Sequence, residues 1–248
     1  MFNLILCDYY EHTKDADFVA ELFDIADDQI ALMQKDVDEN GIIQEVPVDG
    51  RWAFIDWCAG LKKLTSFQGV IIYTLDKMIA LCEKMGYTEK ATAYGELAQN
   101  MRNASRKYLY NEEENAFINS FDDGQYSVHS QVWMILAGVL SVEEGQGLMK
   151  KVLADPDIIR PVTPYMHHYV VEALMAVEMQ AEALAYIQDY WGKMADLGAD
   201  TYWEVYVPAR PDITPYGDRL MNSACHAWSC SPSYFLRKYF AQKEKNNE

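Results

Sequence analysis

The sequence predicts an all-α protein, an α/α toroid of helical hairpins forming a single domain over residues 1–248. Three observations predict it. Apolar residues recur at a period of 3.6 almost from end to end, while the alternation of a half-buried strand is nearly absent. Two kinds of helix take turns, one apolar most of the way round and one apolar along a single stripe, as buried and surface helices are. The connectors alternate as well, short within a pair and long between pairs, so the short turns gather at one end of a set of antiparallel hairpins and the long loops at the other. A ring of hairpins with the buried helices inside accounts for this better than a solenoid, whose repeats keep a steadier period.

An apolar helical pattern is already running at Phe2 with no capping residue ahead of it, so the chain is expected to start inside a larger fold. Between Asp15 and about Asp36, Phe18, Leu22, Ile25, Ile30 and Met33 form one stripe opposite an acidic face. Residues 66–85 are apolar most of the way round, from Val70 to Met85, and end at Gly86. Thr88 opens a striped helix through Tyr94, Ala98, Met101 and Tyr108. Val128 to Leu140 is again of the buried kind. Ser141-Val142-Glu143-Glu144 is a capping box, serine oxygen and glutamate each satisfying a free N–H, and opens a helix to about Ala154. Residues 165–177 and 180–195 repeat the pair, and a last apolar helix is expected at about 223–240. The long connectors fall at roughly 38–65, 110–127, 155–164 and 196–222.

Composition narrows the partners. The 21 Lys and Arg against 38 Asp and Glu give a net charge of −17, which repels phosphate backbones and anionic lipid, so neither nucleic acid nor a membrane surface is an expected partner. There is no apolar run long enough to span a bilayer. Met1 to Cys7 lacks the basic start of a secretion signal and meets Asp8 and Glu11 too soon. Five scattered cysteines, Cys7, Cys58, Cys82, Cys225 and Cys230, are too few for a disulfide scaffold, and point to a reducing compartment, the cytoplasm. No cofactor is expected; the missing glycine-rich phosphate loop disfavours nucleotide chemistry, the missing Gly-x-Ser-x-Gly elbow disfavours serine hydrolysis, and Asp122-Asp123-Gly124, without calcium-ligand spacing, reads as a turn. No metal site is expected either. The adjacent His167 and His168 point about 100° apart on a helix, so at most one faces any given site.

The chemistry gathers on the long loops. Trp52, Phe54, Asp56 and Trp57 lie in the first, Tyr126 and His129 follow the second, and Tyr165, His167 and His168 follow the third. Tyr202, Trp203, Glu204, Tyr206, Tyr216, Asp218, His226 and Trp228 cluster about the fourth. Aromatic faces stack on the C–H faces of a sugar while carboxylates and imidazoles bond its hydroxyls, so this rim predicts a carbohydrate pocket. Its expected sugar contacts are Asp56, Trp57, His129, Tyr165, His167, Trp203 and His226. The plainer reading of the same aromatics is that they plug the open end of a helical ring.

Gly198-Ala199-Asp200-Thr201-Tyr202-Trp203-Glu204, followed by Asn222-Ser223-Ala224-Cys225-His226-Ala227-Trp228, resembles the end of the six-hairpin catalytic domain of bacterial α-L-rhamnosidases, glycoside hydrolase family 78. The earlier Phe54-Ile55-Asp56-Trp57 resembles that family's Gly-Asp-Trp loop, and the likeness extends over about residues 1–240. The resemblance implies that Glu204 is the general base that activates water in an inverting hydrolysis, that Trp57 lines the rhamnose site and that His226 bonds the sugar. An inverting pair needs its base and acid about 6.5 to 9.5 Å apart, with room for the water between them.

The sequence also departs from that family. Its general acid lies in an acidic segment ahead of anything matching Leu4 to Thr13, and this chain shows about nine helices where a complete ring has twelve. The expectation is therefore a partial catalytic domain that lacks the acid, with apolar flanks at Met1–Tyr10 and the last helix open to self-association. A catalytically silent carbohydrate-binding or helical interaction module is the alternative. A hydrolase of unsaturated uronides fits less well, since few Arg or Lys lie on the rim to hold a carboxylate.

Overall fold

The structure, a computed structural model, describes residues 1–44, 53–122, 124–210 and 212–241; Trp52 of the expected rim and Asp123 of the acidic turn lie outside them. The described residues form nine α-helices: α1 (Phe2–Thr13), α2 (Ala16–Gln34), α3 (Leu64–Met85), α4 (Thr88–Ala104), α5 (Val128–Leu136), α6 (Val142–Ala154), α7 (Pro164–Ala176), α8 (Gln180–Asp196) and α9 (Ser231–Phe235). None of the described helices is long and apolar enough to cross a membrane.

Helix boundaries follow local chemistry. The Asp15 side chain caps α2 by accepting the Phe18 N–H at 3.0 Å. Gly86, at φ +77°, takes the left-handed turn that ends α3, a conformation a side chain would resist. At α6 the capping box forms in full: Ser141 Oγ accepts the Glu144 N–H at 3.3 Å and Glu144 Oε2 accepts the Ser141 N–H at 2.9 Å. Thr163 caps α7, and Pro164 fills its first turn, where no N–H is needed.

Packing then makes the arc. Helices α1, α3, α5, α7 and α9 lie against one another in that order, and α2, α4, α6 and α8 each pack on their hairpin partner. Inner helices are the most buried; every residue from Val128 to Ile135 of α5 is buried. Trp133, Val170 and Leu174 belong to one core cluster, and Ile72, Met78 and Phe23 to another. The α3–α5 crossing is close enough that a Cβ on Gly69 meets the main chain of Trp133 at 2.8 Å. Between α1, α3, α7 and α9 lies a cavity of about 1170 Å³, with Tyr73, His168 and Glu172 on its wall.

Three details differ from the sequence expectations. Helix α4 does not run evenly to Tyr108 but finishes in a π turn at Ser105–Leu109. A two-residue hairpin, β1 (Tyr110–Asn111) with β2 (Ala116–Phe117), opens the second long connector. The last helix starts at Ser231 and continues as a π turn over Leu236–Phe240, not at 223. Residues 223–230 have helical patterning, yet their polar groups are used at long range: His226 N–H donates to Tyr202 O at 2.9 Å and Ser229 Oγ to Trp203 O at 2.7 Å.

The first long connector is tied down by Asp56, whose carboxylate is buried. It accepts five hydrogen bonds, from Trp57 N, Val162 N, Thr163 N, Thr163 Oγ1 and His129 Nε2, at 2.6 to 3.1 Å. Burial alone pushes this carboxyl up, but the His129 and Thr163 side chains and the Val162 N–H hold it below the usual carboxylate value. One side chain thus fastens the loop bearing Phe54 and Trp57 to α5 and to the start of α7.

Two outcomes are expected. Gly69→Ala lowers the urea midpoint, because overpacking against main chain costs about 1–3 kcal/mol and outweighs the ~1 kcal/mol alanine gains in a helix. Asp56→Asn costs roughly 3 kcal/mol at neutral pH by stranding buried donors. Because the folded-state pKa is depressed, the contribution of Asp56 is present above about pH 4 and lost as pH falls through the lower folded value, so the variant's urea stability changes less than the parent's across that acid range.

Candidate functional site

The fourth long connector, 197–230, carries the site, and it is anchored on α8. Tyr190 OH donates to Tyr206 O at 2.7 Å and Trp191 Nε1 to Ser229 O at 3.0 Å, while Val205 and Tyr206 are buried beneath. Two backbone bonds clip its ends together: Glu204 N–H to Ser223 O and His226 N–H to Tyr202 O, both 2.9 Å.

Glu204 stands where these strands of the connector meet, and its side chain is 8% exposed. Oε2 accepts the Ser223 N–H at 3.0 Å, Oε1 accepts the Tyr216 hydroxyl, and the backbone carbonyl accepts Trp228 Nε1 at 3.2 Å. His226 Nε2 stands 4.0 Å from Oε1, and its ring lies 4.3 Å from Trp228. The hydrogen bond to Glu204, with burial second, pushes the Tyr216 phenol above its ordinary value.

An aromatic group adjoins Glu204 through Tyr216 and Trp228. Phe54 stacks on Trp228 with ring centroids 5.6 Å apart and planes 10° off parallel, and meets Trp57 edge-on at 5.2 Å. Tyr165, at the start of α7, touches Phe54 at 5.5 Å and Trp228 at 5.6 Å. Trp57 meets Tyr216 edge-on at 5.8 Å, so the first and fourth connectors join through that ring pair. Trp57, Tyr165, Glu204 and His226 therefore come together around one group of rings, although they lie on two separate loops and at the start of α7.

The other expected sugar contacts sit elsewhere. Asp56 and His129 form a pair at 2.8 Å with no exposed side-chain surface. His167 turns toward α8: its ring stacks on Tyr190 at 3.6 Å and its Nδ1 pairs with Tyr186 OH at 2.6 Å. Burial pushes its pKa down to about 3, so the imidazole is neutral. Its neighbour His168 points the other way, into the α1–α9 cavity, where Nδ1 pairs with Ser231 Oγ at 3.1 Å and Nε2 lies 3.6 Å from Glu172. Trp203 packs edge-on to Tyr206 at 5.9 Å. The expected contacts omitted Phe54, Tyr216, Trp228 and the Ser223 N–H. The three rings carry a signal, as aromatics on rim loops; a backbone N–H carries none.

Chemically, the arrangement presents one carboxylate with fixed orientation beside stacked aromatic faces, an imidazole and a phenol. That suits a neutral ring with hydroxyls on its edge and C–H bonds on its face.

Comparison with known proteins places the fold. Residues 3–240 match the bacterial alpha-L-rhamnosidase 6 hairpin glycosidase domain. Among solved structures, a rhamnosidase from Klebsiella oxytoca with rhamnose bound is 36% identical, with a TM-score of 0.90 over 96% of this chain and 46% of that one. A GH78 family rhamnosidase of Bacillus sp. GL1 is 26% identical, with a TM-score of 0.80 over 95% of this chain and 25% of that one. No curated protein matches. The chain thus spans less than half the length of these solved relatives, and it belongs to the bacterial α-L-rhamnosidase six-hairpin glycosidase domain family.

Proposed function

We propose that this chain holds the sugar site and the water-activating base of an α-L-rhamnosidase-like glycoside hydrolase that works with inversion, with Glu204 as the base. The observation that carries the reading is the Glu204 carboxylate, oriented by Ser223 and Tyr216 and linked to the aromatic group through the Tyr216–Trp57 ring contact and the Trp228 Nε1 bond to its carbonyl. The relative described with rhamnose bound supports a terminal rhamnoside as the substrate. Trp57 and Trp228 offer faces for the sugar's C–H surface, and His226 and Tyr165 offer polar atoms for its hydroxyls. Asp56 and His129 act in this reading by holding the Trp57 loop rather than by touching sugar.

A base must be ionised and within reach of the attacking water, whereas the leaving oxygen needs a proton from an acid on the other face. Among the described residues the reading assigns no acid: Asp56, the carboxylate beside Trp57, is sealed by its five hydrogen bonds. The stacked Phe54 and Trp228 rings also support a second reading, a silent carbohydrate-binding module on the same rim. The exposed Met1, Ile5, Tyr234 and Leu236 at the arc's flank support self-association, and the five free cysteines fit a reducing compartment such as the cytoplasm.

A rhamnoside with a dinitrophenyl leaving group needs no protonation, so it tests the base without the acid. Turnover of it is expected to fall by roughly 10²- to 10⁴-fold in Glu204→Gln; unchanged turnover removes the proposed base. Titration with rhamnose, followed by tryptophan fluorescence, is expected to saturate at millimolar sugar in both proteins. Binding without any turnover selects the silent module, and no response at all counts against both readings.

A further inference from the structure

Both donors that hold the Glu204 carboxylate come from one short stretch. Ser223 supplies its N–H to Oε2 at 3.0 Å, and Tyr216, seven residues earlier, supplies its hydroxyl to Oε1. The intervening turn is stapled across its base. Thr214 Oγ1 donates to Asn222 Oδ1 at 2.6 Å, Asn222 Nδ2 donates to Ile213 O at 3.3 Å, and the Tyr216 N–H returns to Thr214 Oγ1 at 3.1 Å. Gly217 makes the bend at φ +76°, in the left-handed region that favours glycine. Beyond the hydroxyl, the Tyr216 ring abuts Trp57 at 5.8 Å, so one side chain touches the carboxylate and the aromatic wall together.

A carboxylate oxygen accepts two hydrogen bonds, so the phenol fills one lone-pair direction of Oε1 and leaves the other open. With Oε2 fixed by main chain, the second donor removes the carboxylate's remaining rotation, and the open lone pair then has one direction. Orientation of this kind matters to a general base, since a displaced base loses reach to the water proton.

We propose that Tyr216 is the positioning residue of Glu204: its hydroxyl fixes the rotation of the carboxylate, and its ring sets that carboxylate at a constant distance from the Trp57 face. The inference rests on the reading of Glu204 as the base, and it adds a role for the Thr214–Asn222 staple as the support that presents Tyr216.

The test uses the full chain and its Tyr216→Phe, Glu204→Gln and doubly substituted forms. Tyr216→Phe keeps the ring against Trp57 and removes only the O–H. The difference in near-ultraviolet phenol ionisation between parent and Tyr216→Phe reads one tyrosine. It is expected above the ordinary value of about 10, and to move down when the same difference is taken in the Glu204→Gln background. A phenol that ionises identically in both backgrounds overturns the pairing, whether or not the chain turns over substrate. With the dinitrophenyl rhamnoside, Tyr216→Phe is expected to lower kcat about 10-fold, the worth of one hydrogen bond to a charged group, with KM within about twofold. A kcat within about twofold of the parent, or a rise confined to KM, overturns the positioning role. Failure of the base reading is separate, since it shows as unchanged turnover in Glu204→Gln.

Discussion

Glu204 is bonded at its N–H, at its carbonyl and at both carboxylate oxygens, and the site depends on that four-point attachment. The partners come from Ser223, Tyr216 and Trp228, so the same contacts that orient the carboxylate also fold the long connector onto itself. A carboxylate this buried is costly unless its oxygens are satisfied. Here one backbone donor and one phenol meet that requirement while leaving a side of Oε1 available. Geometry and stability are thus supplied by the same hydrogen bonds, and loosening one loosens the other.

Asp56 performs the complementary task for the opposite wall. Its oxygens are used up by α5, by the start of α7 and by the main chain of Trp57, so it fixes where Phe54 and Trp57 stand. The inner helices make this possible, since α5 and α7 bring His129 and Thr163 to the same end of the arc. A second polar line runs inside the arc, from Tyr73 OH to Glu172 at 2.8 Å and on to His168 and Ser231. There burial pushes the Glu172 carboxyl up, but His168 and Tyr73 hold it below its usual value.

The hairpins were legible because helical period and capping chemistry are local: the box at Ser141–Glu144 and the stop at Gly86 both formed as read. That Trp57, Glu204 and His226 share one end followed from the alternation of short and long connectors together with the family likeness. Other features were not legible, for physical reasons. An aspartate in a loop reads as exposed, and only the fold reveals that Asp56 is spent on five donors. The choice between His167 and His168 turns on the rotation of α7, which an apolar pattern this broad does not fix. Residues 223–230 have the composition of a helix, but contacts with residues 202–204 and the proline at 232 set the helix start at Ser231.

A crystal structure of the Glu204→Gln protein with rhamnose bound tests the assignment of the site most directly. The sugar is expected on the Trp57 and Trp228 faces, within hydrogen-bond reach of residue 204 and His226. Rhamnose found in the cavity beside Tyr73 and Glu172, or anywhere out of reach of residue 204, contradicts it.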